Sequence, residues 1–419
     1  MSKYPASDIA PSAPVVRSHD GTPSGPDEPA GGARESTAPV PGEQTLELAR
    51  PWRNPPDRVQ LRVRYRQTSA RAGGLVAELD GPTGSMRVPL QAPLALAPAQ
   101  VDKPWGRELW LTGIEARGES AVRVEDALLP LSQYLALAPA YLTGAAPMIL
   151  LKILDPTPRP LLGDLYFEVH ERKQEVYVVT HVDPAAWPDG RGAIRFGMNQ
   201  TVRREYGDDP AFRAAYLEAV RRYEQVRRAI DAGDAGSAVQ EAELRGAMER
   251  FTHLRRLAVG DVVVVPAWLP HSLQHGVRVI ELQTPSYERH VISFAQPMQT
   301  QHHWDSEHAI AHMSVEQAPD PIDEAVAPGV SRIAAFDDFS VWRATLEPGA
   351  SLPLPDHPGY LLCTGVAGQV RLDTLELGPE QAALVPGCVL RDATLRHTRG
   401  TLHNHGDCPA VVLLAAADL

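Results

Sequence analysis

The stretch LYFEVHERKQEVYVV, residues 165–179, decides the fold. Its pattern predicts a β-hairpin, two strands joined by a short turn, in which successive side chains point to opposite faces. Glu168 and His170 then share one face of the first strand, and Glu175 lies just past the turn. Because a buried carboxylate without a partner costs several kcal/mol, the pattern indicates a ligand between these side chains. In the alternative interpretation, both glutamates lie on an exposed edge strand.

A second motif lies in GDVVVVPAWLPHSL, residues 260–273, where Gly260, Pro266 and His271 have the spacing Gly-x5-Pro-x4-His. With the first motif it forms the two-part pattern of a cupin barrel, in which Glu168 stands where the first histidine is usual. Residues from a strand, a turn and a distant strand can converge inside a small barrel. Two carboxylates and two imidazoles suit Zn²⁺, Mn²⁺, Fe²⁺ or Co²⁺.

Strand-like alternation surrounds a long helical stretch, DDPAFRAAYLEAVRRYEQVRRAIDAG, residues 208–233, and shorter helices are predicted over residues 129–144 and 238–251. Apolar residues recur in the long stretch at steps of three and four, with Asp209 as the predicted N-cap and Gly233 at the end. The fold class is therefore mainly β: a cupin-type barrel or jelly-roll domain with a helical insertion, plus a second C-terminal cupin-like β-domain. The predicted segments are a disordered Pro/Ala/Ser-rich tail (1–47), an N-terminal β segment (48–100), a metal-binding cupin domain (101–325) with its insertion at about 208–254, and a C-terminal β-domain without a metal site (326–419).

The composition of the chain limits the classes of partner that it can bind. The 419 residues carry 40 Lys and Arg against 52 Asp and Glu, a net charge of −12. This charge argues against nucleic acid and anionic membranes as partners. No apolar run approaches the roughly 20 residues that span a bilayer, and the first residues do not resemble a signal peptide. We therefore expect a cytoplasmic protein that acts on a small molecule.

The segment from about Val101 to Phe294 resembles type I mannose-6-phosphate isomerases. KPWGRELWLTGIEARGES, residues 103–120, is similar to the family's opening Trp-Gly segment, and APMILLKILDP, residues 146–156, to the strand before its metal motif. LYFEVH stands where the family has Leu-Ser-x-Gln-Val-His, and GDVVVVPAWLPHSL resembles its Gly-Asp…Pro-x-Gly-x-x-His motif. The helical stretch falls where the family has one.

The resemblance implies interconversion of mannose 6-phosphate and fructose 6-phosphate with one divalent metal, zinc first and manganese, iron or cobalt as alternatives. It implies that His170, Glu175 and His271 are metal ligands and that Glu168 replaces a glutamine ligand. The implied roles of the remaining residues are substrate binding for Lys173, proton shuttling for Glu281, and substrate contact and catalysis for Arg289, which lies about two positions out of register.

Three departures from the family weaken the case for that substrate. Glu168 adds a negative charge to the metal site, Tyr166 replaces a small serine, and Trp268 replaces a glycine. Two other functions therefore stay open: another metal-dependent cupin enzyme, such as a different sugar isomerase or a dioxygenase, and a non-catalytic sugar-binding cupin.

Two of the implied roles also have structural alternatives. Glu281 is either a base or a strand carboxylate paired with Arg278 or Arg289. Lys173 is either a substrate ligand or an exposed lysine in a turn.

Overall fold

The computed structural model describes residues 16–18, 38–69, 74–81, 84–298 and 303–418, and strands dominate these ranges, as predicted. The strands are, in chain order, β1 (Val16–Ser18), β2 (Gly42–Arg50), β3 (Asp57–Gln67), β4 (Leu75–Gly81), β5 (Gly84–Pro89), β6 (Leu94–Ala97), β7 (Ala99–Lys103), β8 (Gly106–Trp110), β9 (Ile114–Glu115), β10 (Gly118–Glu119), β11 (Ala121–Val124), β12 (Ala127–Pro130), β13 (Leu150–Pro156), β14 (Phe167–Val169), β15 (Glu175–Val182), β16 (Gly192–Met198), β17 (Thr252–Leu257), β18 (Val262–Val265), β19 (His271–Leu273), β20 (Val277–Gln283), β21 (His290–Ser293), β22 (Glu324–Ala327), β23 (Val330–Ala335), β24 (Phe339–Leu346), β25 (Ser351–Pro353), β26 (Leu361–Ala367), β27 (Val370–Leu372), β28 (Leu375–Leu377), β29 (Ala382–Val385), β30 (Thr401–His403) and β31 (Ala410–Ala417).

The helices are fewer than the strands. They are α1 (Leu131–Leu137), α2 (Pro139–Thr143), α3 (Gln200–Arg204), α4 (Asp209–Asp231), α5 (Ala238–Glu249), α6 (Ser306–His312), α7 (Gly387–Arg391) and α8 (Ala393–Arg399). Within the described residues, no helix is both long and apolar enough to cross a membrane.

The chain divides into two compact units. Unit 1 contains Gln100–Leu109 and Lys152–Ile322, and unit 2 contains Trp110–Leu151, Asp323–Leu419 and the described part of Pro11–Ala99. The boundaries differ from those predicted, because β6 and β11 join the sheet of the C-terminal strands: β11 pairs with β6, and β6 pairs with β29. The predicted N-terminal segment, part of the predicted cupin domain and the predicted C-terminal domain thus share one sheet.

The predicted tail also ends earlier than residue 47. Gly42–Arg50 forms β2, which pairs along its whole length with β3. Alternating apolar residues on both strands give this hairpin a buried face. Apart from Val16–Ser18, which pairs with β2, residues 1–37 of the predicted tail lie outside the described residues.

Unit 1 consists mainly of two antiparallel sheets. One has six strands in the order β18-β15-β20-β13-β8-β7, and the other has five in the order β17-β16-β19-β14-β21. Inward side chains from both, among them Tyr177, Val263, Phe196 and Val291, form one apolar core. The arrangement is a two-layer cupin-like sandwich, and no sheet of the described residues closes into a barrel.

Unit 2 repeats this strand order. Its nine-stranded sheet contains the run β29-β26-β31-β24-β23-β22, which follows the same connectivity as the six-stranded sheet of unit 1. Its four-stranded sheet, in the order β25-β30-β27-β28, corresponds to β14-β19-β16-β17. The expected second cupin-like β-domain is therefore present, and a further sheet of β1 to β5 is attached to it in sequence.

Helices α3, α4 and α5 are inserted between β16 and β17, which pair directly with Met198 opposite Thr252. The Asp208 carboxylate caps α4 by accepting the Ala211 N–H at 2.8 Å, one residue before the predicted cap. The apolar side of α4, including Phe212 and Tyr216, packs on residues from the outer face of the five-stranded sheet. The insertion thus covers that sheet without entering the core between the two sheets.

Candidate metal centre

The two strands within residues 165–179, β14 and β15, do not form the predicted hairpin. β14 pairs with β19 and β21, whereas β15 pairs with β18 and β20 in the other sheet. The turn after His170 therefore carries the chain from one layer of unit 1 to the other. Glu168 on β14 lies opposite His271 on β19, and Glu175 begins β15. This crossing places side chains from two sheets against one another.

All four predicted metal ligands come together. The Nε2 atom of His170 lies 3.8 Å from Oε1 of Glu168 and 3.5 Å from Oε1 of Glu175. The Nε2 atom of His271 lies 3.1 Å from Oε2 of Glu175. Donor atoms of Glu168, His170 and His271 all lie within 4.8 Å of one another. His170, Glu175 and His271 are almost completely buried.

The ring nitrogens are available for coordination. Neither nitrogen of buried His170 has a hydrogen-bond partner among the described residues. The Nδ1 atom of His271 lies 2.9 Å from the Leu269 carbonyl oxygen. A proton on Nδ1 donated to that carbonyl leaves the Nε2 lone pair facing the cluster, as in histidine ligands of metals. Buried polar atoms are normally partnered, so these free nitrogens fit a divalent metal bound by nitrogen and oxygen atoms.

The electrostatics favour deprotonation of Glu175 and His170 but not of His271. Burial lowers the pKa of His271, but its hydrogen bond with Glu175 and the Glu175 and Glu168 charges outweigh burial and raise it. Burial opposes ionisation of Glu175, but the Lys173 ammonium 2.7 Å away and the two imidazoles outweigh it and hold its pKa well below the usual value. Burial, and then the Lys173 charge, hold the pKa of His170 well below its usual value. Metal binding requires ionised carboxylates and neutral imidazoles, and it releases any proton that the ligands hold. The pKa shifts of Glu175 and His170 meet that requirement, and a bound metal would displace the proton that the raised pKa of His271 favours.

Two of the predicted substrate residues contact the ligand carboxylates. Lys173 is buried and paired with Glu175, so it is not an exposed turn lysine. The Nε atom of Arg289 lies 2.9 Å from Oε2 of Glu168, and the guanidinium lies over the ring of Tyr166, 4.6 Å from its centroid. Arg289 therefore balances the negative charge that Glu168 adds.

Glu281 is buried on β20 and lies opposite Tyr177 of β15. Because Glu175 and Tyr177 are two residues apart on that strand, Glu281 faces the same side as the cluster. Burial raises its pKa to about 7, against the opposing effect of Lys152. Neither predicted arginine partner pairs with it, since Arg278 lies 2.7 Å from Asp155 and Arg289 contacts Glu168.

The partner of Glu281 is a lysine that sequence reasoning missed. The Nζ atom of Lys152, on β13, lies 3.4 Å from Oε2 of Glu281 and 2.7 Å from Oε1 of Gln283. Burial disfavours its charge, but Glu281, Glu108 and Glu175 outweigh burial and raise its pKa. The signal was a single lysine inside the apolar run MILLKIL, because a buried lysine needs a carboxylate partner.

Tyr177 and Glu108 were also missed. The Tyr177 hydroxyl donates to Oε2 of Glu175 at 2.5 Å, and Oε1 of Glu108 lies 3.2 Å from Nζ of Lys103. Tyr177 reads as an ordinary core aromatic in the sequence, and Glu108 reads as a surface residue of a β-strand. Both contacts are local in sequence, within β15 for Tyr177 and between consecutive strands β7 and β8 for Glu108, but the residue pattern alone does not distinguish these side chains from other strand residues.

Comparison with solved structures identifies the architecture. The mannose 6-phosphate isomerase from Bacillus subtilis superposes with a TM-score of 0.53 at 15% identity, and the match covers 77% of this chain and 99% of that one. A zinc-bound mannose 6-phosphate isomerase gives 0.57 at 12% identity, over 78% of this chain and 100% of its own. This chain has the fold of the mannose-6-phosphate isomerases. A variant of the phosphomannose isomerase from Salmonella typhimurium gives 0.55 at 13% identity, with the same coverage of 78% and 100%.

No protein-family model and no curated protein sequence matches the chain. The likeness to mannose-6-phosphate isomerases is therefore one of fold, and it extends over the full length of the compared enzymes. The metal-ligand, substrate and proton-shuttle roles of individual residues stay predictions.

Proposed function

We propose that this protein is a metal-dependent aldose–ketose isomerase that acts on a sugar phosphate, with mannose 6-phosphate and fructose 6-phosphate as the first pair to test. One observation carries the proposal. Two carboxylates and two imidazoles with free ring nitrogens converge on the face that also carries Glu281, whose pKa burial raises to about 7. A metal-dependent enediol isomerisation combines a cation site, which polarises the carbonyl, with a proton carrier.

Glu168, His170, Glu175 and His271 would hold the metal, with zinc favoured over manganese, iron or cobalt. A bound divalent metal would polarise the substrate carbonyl and stabilise negative charge on the adjacent oxygens. The protein contributes the geometry. The Leu269 carbonyl fixes the His271 ring, and the Tyr177 hydroxyl orients the Glu175 carboxylate.

Glu281 would carry the proton. As a carboxylate it takes the proton from C2 of the aldose, and as a carboxylic acid it returns that proton to C1. The hydroxyl proton on O2 passes to O1 at the same time, so that the carbonyl moves from C1 to C2 and the ketose forms. A carboxyl group with a pKa near 7 exchanges protons efficiently at neutral pH. Lys152, 3.4 Å away, favours the ionised form against the cost of burial.

The cations at the ligand carboxylates provide the anion selectivity of the proposed site. Lys173 and Arg289 lie against Glu175 and Glu168, where substrate oxygens would approach. Guanidinium and ammonium groups bind phosphate and sugar oxygens through charge-assisted hydrogen bonds. We therefore expect a small anionic substrate, and neither nucleic acid nor a membrane as partner.

The test begins with protein purified without added metal. Elemental analysis should find at least one divalent ion that His271→Ala loses, and mannose 6-phosphate should be converted to fructose 6-phosphate. A chelator should abolish this conversion and zinc should restore it. A parallel assay with mannose, and with other aldose phosphates, tests the need for phosphate and the choice of sugar.

Other outcomes would replace the proposal. Iron in the protein together with oxygen uptake would identify a dioxygenase. Sugar binding without turnover of any substrate in the metal-loaded protein would identify a binding module. Absence of any bound metal would remove the chemistry on which the isomerase rests.

A further inference from the structure

A second group of metal-ligating side chains lies in unit 1, and it shares no residue with the centre described above. Donor atoms of Glu171, His290 and His308 all lie within 4.8 Å of one another. His312 follows His308 by one turn on α6, and residues four apart on a helix lie on the same face. The group thus draws on a turn, a strand and a helix.

The imidazoles are close to one another and have free nitrogens. The ring centroids of His290 and His308 are 4.9 Å apart, and those of His308 and His312 are 4.5 Å apart. The Nδ1 atom of His312 lies 2.9 Å from the His308 carbonyl oxygen, so a proton there leaves Nε2 unprotonated. The Nε2 atom of His290 is buried and has no hydrogen-bond partner among the described residues. A bound cation would supply that partner.

Trp268 supports the whole cluster. Its indole is stacked on His290, with centroids 5.8 Å apart and 7° between the planes, and it also contacts His308 and His312 at 5.8 and 5.3 Å. Trp268 has φ of 60°, a conformation that residues other than glycine rarely adopt. The indole therefore takes up a position in which it orients three imidazoles.

Hydrogen bonds fix the helix that carries His308 and His312 and the turn that carries Glu171. The Arg213 guanidinium donates to the Met313 carbonyl at 2.8 Å and holds the end of α6. Glu288 accepts the backbone N–H groups of Glu171 and Arg172 and holds the turn. Among the described residues, no lysine or arginine forms an ion pair with the Glu171 carboxylate, which leaves it available to a cation.

From this geometry we propose that Glu171, His290, His308 and His312 form a second divalent-metal site. Three imidazole nitrogens and one carboxylate oxygen favour Zn²⁺, Co²⁺, Ni²⁺ or Cu²⁺, whereas Mg²⁺ and Ca²⁺ prefer oxygen ligands. The site stands apart from the proposed function, because it would bind a metal whether or not the first centre is catalytic.

Titration of chelator-treated full-length protein with Co²⁺ tests the site, with visible absorption and equilibrium dialysis as readouts. We expect two equivalents to bind the wild type and one to bind His308→Ala, with His271→Ala also retaining one. His397→Ala, which removes an exposed helical histidine from unit 2, is the matched control and should keep both equivalents. Because Trp268 contacts the site, Co²⁺ should quench part of the fluorescence in wild type and in His271→Ala, but less in His308→Ala.

The outcomes separate the two sites. Stoichiometry and quenching that are the same in His308→Ala as in wild type would overturn the second site. One equivalent in wild type that His308→Ala loses and His271→Ala keeps would support the second site while removing the metal from the proposed isomerase. A His290→Ala variant that behaves like His308→Ala would exclude local unfolding of α6 as the cause.

Discussion

Unit 1 and unit 2 contain the same run of strands. Within the described residues, only unit 1 brings together histidine and acidic side chains that could hold a metal. The difference is visible residue by residue. Glu175 begins β15 and pairs with Val265, while Leu361 begins β26 and pairs with Val385. The same strand position therefore carries a carboxylate in one unit and a buried leucine in the other.

The second sheet shows the same contrast. Glu168 lies opposite His271 in unit 1, and Pro353 lies opposite Thr401 in unit 2. The position of Glu281, opposite Tyr177, corresponds to that of Leu414, opposite Cys363. The fold thus supplies convergent positions, and side-chain identity alone decides whether they form a site or a core.

The largest expected effect comes from exchanging the matched residues His271 and Thr401 for alanine. His271→Ala should lose the first metal and reduce isomerase activity to background, because it removes one of four ligands. Thr401→Ala should keep the metal and the activity. It should lose only about 1 kcal/mol of stability, because it removes the hydrogen bond from the Thr401 hydroxyl to the His397 carbonyl. Metal analysis and the isomerase assay measure the contrast, and equal behaviour of the two variants would break it.

Glu281→Gln should lower kcat by roughly 10²–10⁴-fold, the usual contribution of a general base. Metal content should be unchanged, because the residue is not among the predicted ligands. Steady-state kinetics with metal analysis test this expectation. A variant with near wild-type kcat would assign the proton transfer to another group.

Leu361→Glu would place a glutamate in unit 2 at the position that corresponds to Glu175 of unit 1, but without the lysine and histidines that contact Glu175. Burial without a partner should raise the pKa of the new carboxyl group and should lower the free energy of unfolding by several kcal/mol at neutral pH. Urea denaturation measures the loss, with Leu361→Met, expected to cost less than about 1.5 kcal/mol, as control. Equal stability of Leu361→Glu and wild type would mean that unit 2 already stabilises a charge there.

The pH dependence should give the most gradual effect. Glu281 has a pKa of about 7, and its protonated form cannot accept a proton, so kcat should fall about tenfold per pH unit below that value. The folded protein also holds this proton more tightly than the unfolded chain, whose carboxyl has a pKa near 4.5. The contribution of Glu281 to stability should therefore decrease as pH rises from 4.5 to about 7. A rate that is constant from pH 5 to 8 would contradict this role.

Much of the site could be predicted because its residues lie in two short motifs. Alternation fixed the faces of Glu168 and Glu175, and the spacing before His271 gave the distant strand. The order of the two sheets could not be obtained this way, so the opening strands were wrongly interpreted as a hairpin. Strand pairing depends on contacts between distant residues, and a period of two is the same within a hairpin and across a sandwich.

The buried network was less accessible for the same reason. Lys152 is a single charged residue in an apolar run, and its partner Glu281 is far away in sequence. The compact units also differ from the predicted domains, since β6 and β11 join the sheet of the C-terminal strands and local patterns cannot specify that pairing. Sequence patterns thus give faces and motifs, and tertiary pairing determines which residues meet.

The helical insertion has an evolutionary consequence. Because Met198 and Thr252 are paired neighbours, the chain leaves and re-enters the sheet at a single point. Doubling the length of such a connection costs only about 0.6 kcal/mol in closure entropy, so the connection can grow, shrink or be exchanged while the strand register is kept. Since β16 also pairs with β19, which carries His271, descendants of this chain can remodel the outer helices without displacing that histidine.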